Sequence, residues 1–184
     1  VSDFNDYTEQ DDLMERIRLY NDNGIDKIYL FDLSDNDAEH ELNLHTMKEI
    51  NRISEIPVYA GGNINRFEDI KKIFYTGCLQ VMLNGSKPES IALAEEASKR
   101  FGKDRILVSV ENVDFVFKHQ AKMNENFHEL LVLNTSVLDA IENITDVPYV
   151  VYFETCDYEK IIEVLKRSNT RGIAGGFLND PNTN

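Results

Sequence analysis

Tryptophan is absent from this 184-residue chain, and cysteine occurs only twice, at Cys78 and Cys156. Two distant cysteines make neither a disulfide framework nor a metal-ligand spacing. Each reads as a small buried apolar residue, and the pair points to a reducing, cytoplasmic setting. The four histidines, His40, His45, His119 and His128, include no i, i+4 pair around a glutamate. No metal site and no cofactor are therefore expected. No apolar run approaches the roughly 20 residues that cross a bilayer. No basic stretch followed by an apolar one opens the chain, so no secretory signal is expected. Positive charge is also scarce, with 19 basic residues against 33 acidic ones and a net charge of −14. A field of that sign repels phosphate backbones and anionic lipid, so neither nucleic acid nor a membrane is an expected partner. A small phosphorylated ligand stays compatible, because backbone N–H groups bind anions locally.

What is present suits a globular domain. Apolar residues make up 42% and charged residues 28% of a chain long enough to bury a core. No linker or low-complexity stretch interrupts it, so residues 1–184 are expected to form a single domain. The first residue is Val1. The chain is accordingly expected to be a fragment of a longer protein, with downstream domains or a second copy as possible partners.

Short β-rich runs alternate with helical patterns throughout. Residues 10–22 place Leu13, Ile17 and Tyr20 on one face, with Gly24 as the stop. The runs 27–32, 57–60, 80–83, 105–110, 129–133, 148–152 and 171–174 read as strands. Their near-continuous apolar character suits burial on both faces of a parallel sheet. The intervening helices are predicted at 42–53, 66–76, 88–101, 114–126, 137–143 and 158–168. Strict alternation satisfies two architectures, a closed (βα)8 TIM-type barrel and an open doubly wound sheet. Seven units without a break in composition favour the barrel, with its first strand missing or upstream.

Two strand-to-helix loops carry the candidate ligand chemistry. Gly61, Gly62 and Asn63 follow one strand, and Asn84, Gly85 and Ser86 follow the next. Glycine lets backbone approach a ligand with no Cβ in the way. Ser86 is a candidate N-cap for the following helix, with Glu89 in capping-box position, and helix N-termini bind anions. The same glycines also make ordinary tight turns. Gly175 and Gly176, after the last strand, are a third candidate. The loop before it, Glu154–Asp157, carries two carboxylates that would repel phosphate.

Two acids stand at strand ends, where barrel catalysts sit: Asp32 and Glu111. Paired carboxylates there do acid–base work when burial separates their pKa values; otherwise they position loops. The acidic run 35–41 does not match a calcium-loop spacing and is expected to be a solvated loop.

The segments Asp26–Ser34, Ile56–Ile64, Phe67–Ile70, Gly77 and Val81–Ser86, taken in order, resemble the histidine-biosynthesis barrel family. That family comprises the phosphoribosylformimino-aminoimidazole carboxamide ribotide isomerase and the cyclase subunit of imidazole glycerol phosphate synthase. The likeness implies a (βα)8 barrel that binds a substrate with a phosphate at each end. It would place Gly61, Gly62, Asn84, Gly85 and Ser86 at one phosphate, and Gly175 and Gly176 at the other. It also implies two catalytic aspartates, at the ends of strands one and five. The first falls before Val1, and Glu111 stands at the second position, one methylene longer. The loop expected to be glycine-rich after strand seven is Glu154–Asp157. Phe31–Asp35 with Glu39–Glu41, Arg100–Asp104 and Thr145–Pro148 resemble a divergent version of the barrel. That version stands at the N-terminus of bifunctional phosphoribosyl-AMP cyclohydrolase/phosphoribosyl-ATP pyrophosphohydrolases. The resemblance therefore implies a weakly catalytic or non-catalytic domain with a phosphoribosyl-type ligand. Its rivals are an active isomerase or cyclase and a ligand-free interaction barrel.

Overall fold

A computed structural model of the chain describes residues 10–176. They divide between Met82 and Leu83 into two compact units.

The first unit runs α1 (Gln10–Asp22), β1 (Ile28–Phe31), α2 (Asp37–Ile53), β2 (Val58–Gly61), α3 (Phe67–Tyr75) and the opening residues of β3 (Gln80–Asn84). β1 pairs with β2 in parallel from Ile28↔Val58 to Phe31↔Gly61, and β2 pairs with β3 from Tyr59↔Gln80 to Gly61↔Met82. The helix predicted over 10–22 has those bounds, and Gly24 follows it at φ +70°. Leu44, Met47 and Ile50 of α2 are buried, as are Ile70 and Ile73 of α3 and every residue of β2. A strand covered on both faces needs no polar alternation, which is why β2 reads as a continuous apolar run.

α2 begins at Asp37, not at Leu42, so the run 35–41 is no solvated loop. The Asn36 side chain accepts from the Glu39 amide at 3.0 Å, and Glu39 in turn accepts from the Asp35 amide at 3.1 Å. Acids in a first helical turn complement the exposed amides and the helix dipole. This turn is exposed, so the hydrophobic periodicity that marks the rest of α2 does not extend into it.

The second unit holds the end of β3, then α4 (Ser90–Phe101), β4 (Ile106–Val110), α5 (Asp114–Lys118), α6 (Gln120–Asn126), β5 (Glu129–Val132), α7 (Leu138–Glu142), β6 (Tyr149–Tyr152), α8 (Tyr158–Leu165) and β7 (Thr170–Ala174). β4 to β7 pair consecutively and in parallel. The helix predicted over 114–126 is broken at His119, at φ −115° and ψ 21°. Phe115 and Val116 on one piece and Met123 on the other are all buried, so their spacing looks like a single helix. No glycine or proline marks the break.

Arg167 locks the end of this unit together. Its guanidinium donates to Glu142 at 2.8 Å and to Asp139 at 2.6 Å. The fully buried Tyr149 donates its hydroxyl to the other Glu142 oxygen at 2.6 Å. Burial first, and then the Glu142 carboxylate, push the Tyr149 phenol above its ordinary pKa, so it stays a donor. Arg167→Met is expected to lower unfolding free energy by about 1–2 kcal/mol, a value discounted because the guanidinium is partly solvated. Urea melts check this, and an unchanged midpoint would show the lock to be energetically idle.

Every pairing within a unit joins consecutive strands in parallel. A doubly wound sheet would reverse its order at a switch point. The fold is therefore of the (βα)8 TIM-type barrel class, with seven of its strands among the described residues.

Candidate functional site

At the carboxyl end of β1, the Asp32 side chain is 1% exposed. Its Oδ1 accepts from Asn43 Nδ2 at 2.6 Å and from the Ser34 amide at 3.0 Å. Its Oδ2 lies 2.5 Å from His40 Nδ1. Burial works to raise the Asp32 pKa, but the hydrogen bonds from Asn43, His40 and Ser34 outweigh it and hold the carboxyl below its ordinary value. Asp32 is thus fitted as an ionised, fully engaged carboxylate. Asp32 is the acid expected at this strand end, whereas His40, its partner on α2, is not among the expected site residues. An acid at a strand end followed by a histidine in the next helix's second turn is the signal that marks the pair.

The loop after β2 is built into the same cluster. The Asp32 amide donates to the Gly61 carbonyl at 2.8 Å. A Cβ on Gly62, which has φ +85°, would stand 2.1 Å from the Asp32 carbonyl oxygen. A Cβ on Gly61 would stand 2.8 Å from the Met82 carbonyl oxygen. Asn63 is the one non-glycine residue with positive φ among those described, at 47°. Its side-chain amide donates to both Ser34 O and Ser34 Oγ at 2.6 Å. Both glycines are therefore required by chain packing against neighbouring strand ends, whether or not a ligand binds. Asp32, Gly61, Gly62 and Asn63 come together in this unit, with His40, Asn43 and Ser34 added to them.

The turn after β3 belongs to the second unit. The Gly85 amide donates to the Ser109 carbonyl at 2.9 Å, and a Cβ there would meet that oxygen at 2.6 Å. The Ser86 amide donates to Asn84 Oδ1 at 2.8 Å, and the Lys87 amide donates to Asn84 O at 3.0 Å. Ser90 Oγ donates to the same carbonyl at 2.6 Å. α4 starts at Ser90 with Glu89 as N-cap, so Ser86 does not cap it and Glu89 is not in capping-box position. Asn84 organises the turn instead, because its side chain bonds the backbone two residues on and its carbonyl closes the next turn. Ser86 is left exposed. Glu111, directly after β4, is exposed as well. Gly175 follows β7 half-buried, and Gly176 is exposed.

In the loop after β6, Asp157 caps α8, its Oδ1 accepting from the Lys160 amide at 3.2 Å. Its Oδ2 pairs with Lys160 Nζ at 3.1 Å. The protein's own carboxylate fills the place where a bound anion would sit at that helix end. Asp157 and Lys160, with Asn134, Thr135, Glu154 and Thr155, line a cavity of about 210 Å³. Among the described residues, no group of three or more His, Cys, Asp or Glu is placed to hold a metal ion. None of their helices is long and apolar enough to cross a membrane.

With this geometry in place, comparison with known proteins gives a consistent answer. A protein-family profile described as "Histidine biosynthesis protein" matches residues 2–176. A Staphylococcus saprophyticus protein, imidazole glycerol phosphate synthase subunit HisF, is 25% identical over 89% of this chain and 78% of its own length. An Exiguobacterium protein of the same name is 23% identical over 94% of this chain and 79% of its own. The Helicobacter hepaticus protein of that name is 32% identical, but over 54% of this chain and 40% of its own length.

Proposed function

Since the chain belongs to the histidine-biosynthesis protein family, we propose that it is a divergent barrel domain that binds a phosphoribosyl-type ligand and is itself weakly catalytic or non-catalytic. The observation that carries the ligand reading is the turn Asn84–Ser86. It stands at the carboxyl end of a strand, where barrel ligands sit, and it exposes Ser86 one residue before a lysine. Its backbone is held rigid by Asn84, so a ligand would meet a preorganised turn. Taken by itself, the first unit offers the loop 61–63 as a candidate contact of the same kind, and the second unit also offers Gly175 and Gly176. The non-catalytic reading rests on Glu111, which is exposed where the family carries an aspartate. A catalytic acid needs placement to a fraction of an ångström, and an added methylene moves it. The larger protein in this reading is a bifunctional phosphoribosyl-AMP cyclohydrolase/phosphoribosyl-ATP pyrophosphohydrolase in the cytoplasm, with the hydrolase chemistry outside this chain. The relatives are named as subunits, which supports a further protein contact, through a second copy or a neighbouring domain.

Ser86→Asp tests the ligand site without touching the glycines. A carboxylate at that exposed position is expected to weaken binding of ribose 5-phosphate at least about tenfold by calorimetry, through like-charge repulsion at the phosphate. The melting temperature should not change. Equal affinity in both proteins would sink the assignment. A second reading, an active cyclase, is favoured by the shared name of the relatives. Turnover of a phosphoribosyl substrate that disappears in Glu111→Gln would establish it.

A further inference from the structure

His40 has chemistry that is not spent inside the cluster at the end of β1. The Asp32 carboxylate is ionised and its two oxygens take three donors. An ionised carboxylate at 2.5 Å accepts, so His40 Nδ1 carries the proton. That leaves Nε2, the other ring nitrogen, facing away from Asp32. The carboxylate is 1% exposed, whereas the imidazole is 13% exposed, so the ring is oriented from below and open at its rim. A buried acid that orients a rim imidazole gives its far nitrogen a set direction for a hydrogen bond.

The surroundings define what that nitrogen meets. α2 carries Asp37, Glu39 and Glu41 in the exposed turns around His40. Glu41 is paired with Lys72 of α3. Asn63 of the loop after β2 is tied to Ser34, whose amide donates to the same Asp32. The imidazole therefore stands in one cluster with the loop proposed as a ligand contact. Acidic neighbours make the place poor for a second anion. They make it suitable for a neutral hydroxyl, which hydrogen-bonds Nε2 with no charge to bury.

We propose that His40, oriented by Asp32, binds a hydroxyl of a phosphorylated sugar through Nε2, giving the domain recognition of the polyol part of its ligand. This deepens the ligand reading and rests on it.

His40→Asn separates the two roles of the ring. The Asn amide nitrogen occupies the place of Nδ1 and keeps the bond to Asp32, whereas nothing replaces Nε2. The expected result is an unchanged melting temperature and ribose 5-phosphate affinity reduced about 3- to 10-fold, as one lost hydrogen bond implies. Affinity for inorganic phosphate, which has no sugar hydroxyl, should be the same in both proteins. Equal affinity for ribose 5-phosphate would overturn the proposal. Imidazole 15N resonances of the wild-type protein keep the test open should His40→Asn fail to fold. Ribose 5-phosphate should shift His40 Nε2, and inorganic phosphate should not. An unmoved His40 beside shifted amides at 61–63 overturns the hydroxyl contact and leaves the phosphate contact at that loop standing. A shifted His40 beside unmoved amides at 61–63 supports the hydroxyl contact and overturns the phosphate contact at that loop. No shift at either place overturns both.

Discussion

Gly62→Ala is expected to cost about 2–5 kcal/mol and to leave the first unit barely folded. Two effects add. The backbone at φ +85° lies in the left-handed region, which costs an L side chain about 1–2 kcal/mol. The new Cβ would also stand 2.1 Å from the Asp32 carbonyl oxygen, 2.7 Å from its nitrogen and 2.8 Å from its carbonyl carbon. All three are backbone atoms, so no rotamer change relieves the clash; overpacking of this kind costs about 1–3 kcal/mol or more. The displaced segment also carries the Asp32 amide bond to Gly61. Urea unfolding followed by circular dichroism measures the loss, and a change below about 1 kcal/mol would show that the loop relaxes freely. The result bears on function. A bulky residue at Gly62 is a poor probe of ligand approach, because binding would be lost along with the fold. By contrast Gly24 and Gly102, also at positive φ, have open space where a Cβ would go. Alanine there should cost only the backbone term.

Asp32→Ala is the second large effect, at about 2–4 kcal/mol. The carboxylate takes three donors, and removing it strands Asn43 Nδ2, the Ser34 amide and His40 Nδ1 in a part-buried setting. Unsatisfied donors of that kind cost about 1–3 kcal/mol each before water enters the gap. Asp32→Asn should cost less, since one oxygen still accepts from Asn43 and Ser34. The same contacts set an acid limb. The folded Asp32 pKa lies below its ordinary value of 3.8. Its contribution to stability is therefore complete at pH above that value and is lost as pH falls through the lower, folded value. Asp69 acts in the same window: its burial is outweighed by bonds from the Asn65 amide and Arg66. A stability profile from pH 6 downward should fall steeply only below about 4, and Asp32→Asn should flatten that fall. A profile that loses stability equally in both proteins would show that Asp32 is not its source.

Local chemistry made most of the fold legible. The strand Val58–Gly61 is a short apolar run because burial on both faces leaves no polar positions, and Ile28–Phe31 is apolar as well, with Ile28 buried and the rest half-buried. Gly24, Gly77 and Gly102 mark helix ends because each takes a positive φ. The misplaced boundaries fall where side chains replace hydrophobic pattern as the organising force. Asn36 and Glu39 extend α2 by capping, and Asn84 organises the turn before α4, where Ser86, the expected cap, does not cap the helix. His119 breaks a helix whose buried residues keep a helical spacing across the break.

For the candidate site, the sequence by itself determined which loops are glycine-rich, that an acid ends β1, and that Glu111 follows β4. It also determined the order of βα units, because the period of apolar residues is a local property of the chain. Only the tertiary structure decided why the glycines are there. Gly61 and Gly62 are set by Met82 and Asp32, and Gly85 by Ser109, all distant in sequence. Only the structure joined His40 to Asp32, since a hydrogen bond between a strand end and a helix depends on how the two pack. A glycine's freedom is written in one residue. The atom that requires it lies on a neighbouring strand, and strand pairing brings the two together.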